Sequence, residues 1–383
     1  MMEPIAKLVG SGVVSSLGLG IDTNLAAMKS GQGQYARKSL SGFNDSINAA
    51  YLSASTITDS KASLEWLLDQ AVNQAFSALE INEADRQSMP IFIGSSSYGI
   101  GLGEDIFRQA LIKTPASAFP LPLDGFTQIT DHLRKKHQLN GPDYSFNTAC
   151  TASANAILSA STSIKQKRHR YALVIGLETF NTTTLAGFHG MQLLSDEIMR
   201  PFDKNRNGLV LGEGCSALIF QAAQPHTQGI TITAGTSQCD TYSISASNPD
   251  GSAIAKVIED AIKQCNISSS DIIAIKAHGT ASPLNDDGEA AGMKRAFDKV
   301  PPFLSLKSYI GHTLGGCGAI ETTLIAAAIA NNELPISAGF ETIDDKLSIS
   351  PVTEALVAPN GYYMLNFFGF GGNNCSLIIH SNQ

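Results

Sequence analysis

None of the six cysteines stands in a CxxC pair or in the spacing of a disulfide framework, which excludes a zinc ribbon or a secreted cystine scaffold. Free thiols in a reducing compartment fit instead, so a cytoplasmic protein is expected. No apolar run approaches the roughly 20 residues that a membrane span requires. The opening Met1-Met-Glu-Pro-Ile-Ala-Lys7 has no basic segment followed by an apolar core, so no signal peptide is expected. Positive charge is scarce: 26 Lys and Arg against 34 Asp and Glu leave a net −8, which argues against nucleic acid as the main partner. The short basic clusters Arg134-Lys-Lys136 and Lys165 to Arg170 read either as solvated helix ends or as a docking patch for an acidic partner. A GxxxxGK[ST] loop is missing. The glycine turns at Gly94 and Gly99-Ile-Gly-Leu-Gly103 lack the register and the later acidic residue of a dinucleotide site. Nor do acidic residues and histidines fall at metal-ligand spacings, so no metal is expected.

What remains is a 383-residue chain, 43% hydrophobic, with glycine spread evenly, as in an ordered protein with a large core. It repeats itself weakly. Leu211-Gly-Glu-Gly-Cys-Ser-Ala-Leu-Ile-Phe220 echoes Gly371-Gly-Asn-Asn-Cys-Ser-Leu-Ile-Ile-His380, and the opening strand Ile5 to Val14 is echoed by Gly229-Ile-Thr-Ile-Thr-Ala-Gly235. This divides the chain into residues 1–228 and 229–383. Each half shows a helix (61–79; 252–265) followed by a β-branched strand (Pro90 to Gly94; Ile272 to Lys276), then a small-residue helix and a closing strand pair. Alternating strands and helices predict mixed sheets covered by helices, an α/β architecture.

Three turns carry the chemistry. Cys150 lies in Asn147-Thr-Ala-Cys-Thr-Ala-Ser153, between a strand-like approach and a helix rich in Ala and Ser. A thiol at a helix N-terminus faces unpaired N–H groups, which favour thiolate, while apolar burial pushes the other way. His278 opens a Gly-Thr-Ala-Ser-Pro turn, and His312, after Gly311, is expected to head a helix whose positive end favours the neutral imidazole. Either histidine alone reads as structural; the pair, in glycine turns at equivalent places of a half-repeat, reads as functional. Two neutral donors aimed at a thioester carbonyl stabilise an enolate. The run Phe367-Phe-Gly-Phe-Gly-Gly372 lets backbone N–H groups approach a ligand, or else forms a β-bulge before the last strand. A soft nucleophile, two imidazoles and a flexible loop fit covalent acyl transfer with carbon–carbon bond formation. Cys215, Cys317 and Cys375 lie among small or apolar residues and read as inert packing.

These motifs, with Arg200-Pro-Phe-Asp-Lys-Asn-Arg-Asn-Gly-Leu-Val-Leu-Gly-Glu-Gly214, resemble the elongating type I/II β-ketoacyl-acyl carrier protein synthases of the thiolase superfamily. The resemblance runs from the opening strand to the final Gly-Gly-Asn-Asn and implies two βαβαβαββ halves stacked as a five-layered αβαβα sandwich. It implies that Cys150 takes the acyl chain, that His278 and His312 bind the malonyl thioester and promote decarboxylation, and that Lys307 and Glu321 organise the site. By the same resemblance Phe370 is a gate in the loop with Phe368 and Gly371, its N–H joins that of Cys150 in an oxyanion hole, and Thr280 and Ser282 contact the pantetheine arm. That arm arrives on acyl carrier protein, so no dissociable cofactor is implied. The partners implied are the carrier protein and either a second copy or a chain-length-factor subunit, in fatty-acid or in polyene and polyketide synthesis. The chain departs from the family in Ala281, in Gly315-Gly-Cys-Gly318, and in a shorter stretch from Gly99 to Gly141. Two alternatives are weighed. Cys150, His278 and His312 argue against a non-elongating chain-length-factor subunit, and the C-terminal glycine run argues against a coenzyme A-dependent thiolase with a second reactive cysteine there.

Overall fold

Residues along the strand Tyr171–Glu178 alternate between two cores. Ala172 and Val174 belong to the central apolar cluster, whereas Leu173, Ile175 and Leu177 belong to an outer one. A strand buried on both faces needs a helical layer on each side, and a period of two divides its side chains between them. The computed structural model describes residues 5–31, 36–40, 47–77, 79–113, 127–224 and 226–383. Residues 114–126 of the shortened 99–141 stretch therefore lie outside the described residues.

The first half contains β1 (Ala6–Ser15), α1 (Ser60–Ser77), β2 (Ile91–Gly94), α2 (Ile100–Lys113), α3 (Thr127–His137), β3 (Asp143–Phe146), α4 (Ala152–Lys165), β4 (Tyr171–Glu178) and β5 (Gly214–Ala222). The second contains β6 (Gly229–Cys239), α5 (Ser252–Cys265), β7 (Ile272–Lys276), α6 (Pro283–Ala296), β8 (Phe303–Leu304), α7 (Cys317–Ala330), β9 (Gly361–Phe368) and β10 (Asn373–Asn382). Hydrogen bonding orders these strands β8-β7-β9-β10-β6-β1-β5-β4-β2-β3. Read from the middle outward, the two sides match strand for strand: β6 with β1, β10 with β5, β9 with β4, β7 with β2 and β8 with β3. The sides meet only where Ala6 and Lys7 pair with Ile232 and Thr231. Helices α4 and α7 lie face to face between the two five-stranded sheets, α1 covers the outside of one and α5 the outside of the other. This is the five-layered thiolase-like sandwich.

Local sequence explains these elements. Asp59 accepts the Ala62 N–H at 2.8 Å at the start of α1, and Leu64, Leu67, Leu68, Ala71, Val72 and Ala75 recur at helical spacing on its buried side. Fully burying each leucine contributes roughly 1.5–3 kcal/mol. Helix α5 ends at Asn266, whose φ of 54° is a left-handed stop. Helix α7 has almost no solvent-facing side, because it runs between the sheets. Its small residues permit close packing: a Cβ on Gly318 would stand 2.1 Å from the backbone nitrogen of Ala154 in α4. Gly318→Ala should therefore lower stability by about 1–3 kcal/mol or more, read as the melting midpoint. An unchanged midpoint would show that α4 and α7 slide apart freely.

Candidate active site

The α4–α7 contact brings the half-repeats' loops together. Cys150 sits in a single 3-10 turn, Ala149–Thr151, just ahead of α4, and Ala149 adopts a φ of 50° to turn the chain there. His312 does not head α7, contrary to expectation. Its backbone pairs with the first half instead, the His312 N–H donating to Val210 O at 2.7 Å and the Gly212 N–H to His312 O at 3.1 Å. A 3-10 turn, Leu314–Gly316, then separates it from the helix. His278 follows β7, where Glu289 of α6 accepts the N–H groups of His278 and Gly279, both at 2.8 Å.

These loops converge. His312 Nε2 lies 3.1 Å from Cys150 Sγ, and the two histidine rings stand edge to face with centroids 5.3 Å apart. Leu314 N–H donates to His312 Nδ1 at 3.2 Å, which leaves the proton of a neutral imidazole on Nε2, pointing at the sulfur. On the far side of His278, Lys307 Nζ lies 3.4 Å from Nδ1 and 2.7 Å from Glu321 Oε1. A charged Lys307 can only donate to Nδ1, so His278 likewise carries its proton on Nε2. All five residues are buried.

Burial, reinforced by Lys307 and Lys276, holds both imidazoles well below their ordinary pKa, so they are neutral. This cause replaces the helix end anticipated for His312. For Lys307, burial works against the charge, but Glu321 and the nearby thiols outweigh it and the pKa rises. Glu321 is pushed up by burial and pulled down further by Lys276 and Lys307, so it remains a carboxylate. In Cys150 burial prevails: the thiol is pushed up to about 11, against the pull of Lys307 and of the Phe370 N–H. The free protein therefore holds a thiol beside a neutral imidazole. Its alkylation by iodoacetamide should keep accelerating through pH 9 without a plateau, and Lys307→Met should slow it at any fixed pH. A plateau below pH 8 would contradict this.

The glycine run lies against this site. Gly369 passes so close that a Cβ there would meet the Cys150 nitrogen at 3.1 Å, and Gly371 and Gly372 both have φ of 75°. The Phe370 N–H faces the Cys150 sulfur, while its ring, half-buried, stacks on Phe188 with centroids 5.8 Å apart. Phe368 packs against His278 at a centroid distance of 6.0 Å. Thr280 and Ser282 are buried, the Thr280 N–H donating to Asp286 and the Ser282 N–H to the Thr280 hydroxyl. Ala281 between them takes a φ of 61°, a conformation that usually selects glycine.

Sequence reasoning missed several residues here. Cys317, read as inert, donates its S–H to the Cys150 carbonyl at 3.0 Å and so holds the nucleophile's turn. Glu178 accepts N–H and hydroxyl hydrogen bonds from Ser96 and Ser97 and the Gly315 N–H, which fastens the His312 loop to the end of β4 and to the loop after β2. Lys276 contacts Glu321 from the side opposite Lys307. Glu213, in the Gly212-Glu-Gly214 part of the segment quoted above, accepts the Ala54, Ser55 and Phe180 N–H groups.

Among the described residues, two trios could hold a metal by proximity: Cys150 with His278 and His312, and Asp69 with His132 and His137. In the second, both Nε2 atoms lie 2.8 Å from one Asp69 oxygen, a hydrogen-bond separation. Two ligands of one tetrahedral zinc stand about 3.3 Å apart, so this trio reads as a tie between α1 and α3. The basic clusters are solvated in part: Arg134 pairs with Asp131 and Asp143, Arg170 with Asp85, and Lys135, Lys136, Lys165, Lys167 and Arg168 are exposed.

Residues 36–226 match the family model for the N-terminal domain of beta-ketoacyl synthases, and residues 229–341 the model for the C-terminal domain. A 3-oxoacyl-[acyl-carrier-protein] synthase 2 of Synechocystis sp. is 33% identical over 82% of this chain and 79% of its own length. Its namesake from Coxiella burnetii is 29% identical over 97% of each. Among solved structures, a chain from a type II polyketide acyl-carrier protein in complex with its ketosynthase superposes with a TM-score of 0.87 at 20% identity, over 100% of both chains. A chain from a ketosynthase in complex with its chain length factor, from Xenorhabdus doucetiae, gives 0.86 at 23% identity over 99% and 98%. At such identities the structural likeness speaks for the fold.

Proposed function

The chain belongs to the β-ketoacyl synthase family, and from that premise we propose that it extends acyl chains by decarboxylative condensation with malonyl carrier protein. The observation that carries this reading is the 3.1 Å approach of His312 Nε2 to Cys150 Sγ, with His278 alongside in the same neutral tautomer. In the first stage the Cys150 sulfur attacks an acyl-carrier thioester. As the carbon–sulfur bond forms, the carbonyl oxygen is received by the N–H groups of Cys150 and Phe370, and the proton given up by the Cys150 thiol ends on the departing carrier thiol. In the second, malonyl thioester binds with its carbonyl oxygen at the two Nε2–H donors. Loss of CO2 leaves an enolate whose charge those donors stabilise, and the enolate carbon attacks the acyl-cysteine, releasing the sulfur.

Phe370 gates this pocket, and Thr280 and Ser282 line the approach of the pantetheine arm. The arm belongs to the carrier protein, so no dissociable cofactor or metal enters the scheme. Residues 1–228 and 229–383 are the two halves, a division supported by the mirrored strand order. Free thiols suit a cytoplasmic enzyme; no described helix is long and apolar enough to cross a membrane. Pairing with a second copy or with a chain-length-factor subunit is supported by exposed apolar side chains. Ile106, Phe107, Leu111 and Ile112 of α2 are exposed, and so is Tyr144 on the edge strand β3.

Intact-protein mass after incubation with a series of acyl-carrier proteins, followed by malonyl carrier protein, tests the proposal. An acyl adduct that disappears as a ketoacyl product two carbons longer forms would support it, and the preferred chain would point to fatty-acid or polyene and polyketide synthesis. No adduct from any donor, alone or with a partner subunit, would overturn it.

A further inference from the structure

Lys276 has no part in the scheme above, yet it is a second fully enclosed lysine beside the site. It ends β7, its side chain is fully buried, and its Nζ lies 2.6 Å from Glu321 Oε2 and 2.6 Å from the carbonyl oxygen of Asn366. The same nitrogen stands 3.5 Å from the centroid of the Phe367 ring. Carboxylate, carbonyl and aromatic face are three electron-rich partners, the surroundings of a small monovalent cation. A neutral amine would have to turn its lone pair toward one of them, so the arrangement fits –NH3⁺. Burial pulls the Lys276 pKa down, and Glu321 opposes it.

We propose that Lys276 is a positioning residue that supplies the site with a built-in cation, locking Glu321, and through it Lys307 and His278, to the root of the Phe370 loop. The reading rests on the condensing activity proposed above. Its geometry is specific. Glu321 offers one oxygen to each lysine, so neither its rotation nor that of Lys307 is free while Lys276 is charged. Asn366 and Phe367 are residues of β9, the strand that leads directly into Gly369 and Phe370. One ammonium therefore joins β7, α7 and β9 at the point where the nucleophile's loop, the histidine pair and the gate depend on one another. Its second effect is electrostatic. With Glu321 shared, the two lysines leave a surplus positive charge beside the imidazoles, which disfavours their protonation.

Lys276→Met keeps the aliphatic stem and removes the charge, while Lys276→Ala leaves a space that a small cation can enter. In Lys276→Met, decarboxylation of malonyl carrier protein should slow by about 10-fold or more with little change in KM. The acid limb of the pH profile should move to higher pH, and the imidazole pKa values of His278 and His312, followed by NMR, should rise. In Lys276→Ala, ammonium, methylammonium or potassium should restore much of the rate, and sodium chloride at equal ionic strength should restore less. A merely structural lysine would lower the melting midpoint and leave the pH profile and imidazole titrations in place. That result, or a folded Lys276→Ala indifferent to every cation, would overturn the proposal. If the wild-type protein makes no ketoacyl product, the condensing reading falls while the imidazole titrations still judge Lys276. If neither variant folds, nitrogen NMR of the wild-type lysines decides: a Lys276 ammonium at pH 7 upholds the proposal and a neutral amine refutes it.

Discussion

His278→Ala should accumulate acyl-enzyme that it cannot consume, whereas Cys150→Ala should carry no acyl group at all. The difference follows from which atoms touch. Without the Cys150 sulfur no group in the cluster can form the thioester, since Cys317, the nearest other thiol, is spent on the Cys150 carbonyl and its pKa is raised by burial. His278 makes no hydrogen bond to the sulfur; the partner of its ring Nδ1 is Lys307 at 3.4 Å. Its removal should leave loading nearly intact and lower decarboxylation by roughly 10²–10³-fold, the usual cost of one oxyanion donor. His312→Ala should impair both stages, because its Nε2–H serves the sulfur as well as the second carbonyl. Intact mass reads loading, and CO2 release reads the second stage. A Cys150→Ala protein that still becomes acylated would displace Cys150 as the nucleophile. Equal loading defects in the two histidine variants would mean that the tautomers are wrongly assigned.

How much of this was readable beforehand depends on sequence separation. The strand Ile272–Lys276 and the helix Ser252–Cys265 fall where the periodicity places them, because each is decided by neighbours within one or two turns. The half-repeat was visible because Cys-Ser followed by an apolar run recurs at β5 and β10, which are both buried along nearly their whole length and so demand the same residues. His278 and His312 stood out through their glycine turns, and Cys150 through its place between a strand-like approach and a helix rich in Ala and Ser. By contrast, Lys276 and Glu321 are 45 residues apart, and Lys276 and the Asn366 carbonyl 90. Nothing local announces such contacts. The available signal was a lysine closing an otherwise apolar strand, Ile272-Ile-Ala-Ile-Lys276, which reads equally well as an exposed strand end. The same distance hid Glu178, 137 residues from Gly315, and the Asp69 trio, whose members lie on two helices.

The misplacement of His312 is instructive in a different way. A glycine followed by His-Thr-Leu-Gly-Gly looks like a helix start, but the backbone of His312 is held by Val210 and Gly212 from the other half of the chain. Tertiary pairing overrode local preference and fixed the imidazole with respect to Cys150 more firmly than a fraying first helical turn could. The neutral form expected from a helix dipole is still obtained, through desolvation and two lysines.

Those two lysines make Glu321 the residue whose loss should cost most stability. Both ammonium groups and the carboxylate are fully buried, at 2.6 and 2.7 Å. Removing one member of a buried ionic set leaves uncompensated charge, typically costing about 3–5 kcal/mol. Glu321→Gln should therefore lower the melting midpoint by roughly 5 °C, given the entropy of unfolding of a chain this long. Adding Lys276→Met should recover part of that loss, because one of the stranded charges is then gone, so the two substitutions should be non-additive. The wild type should also show the linkage. In the folded chain the Glu321 carboxyl lies below its ordinary value, so on acidification the unfolded state takes up this proton first. The stabilisation is complete above a pH of about 4.3 and is lost as pH falls toward the folded value. Glu321→Gln should flatten that part of the acid-unfolding curve. A Glu321→Gln protein that melts with the wild type, and keeps its acid limb, would show that the lysines shed their protons on losing the carboxylate and that the site is held by packing rather than by charge.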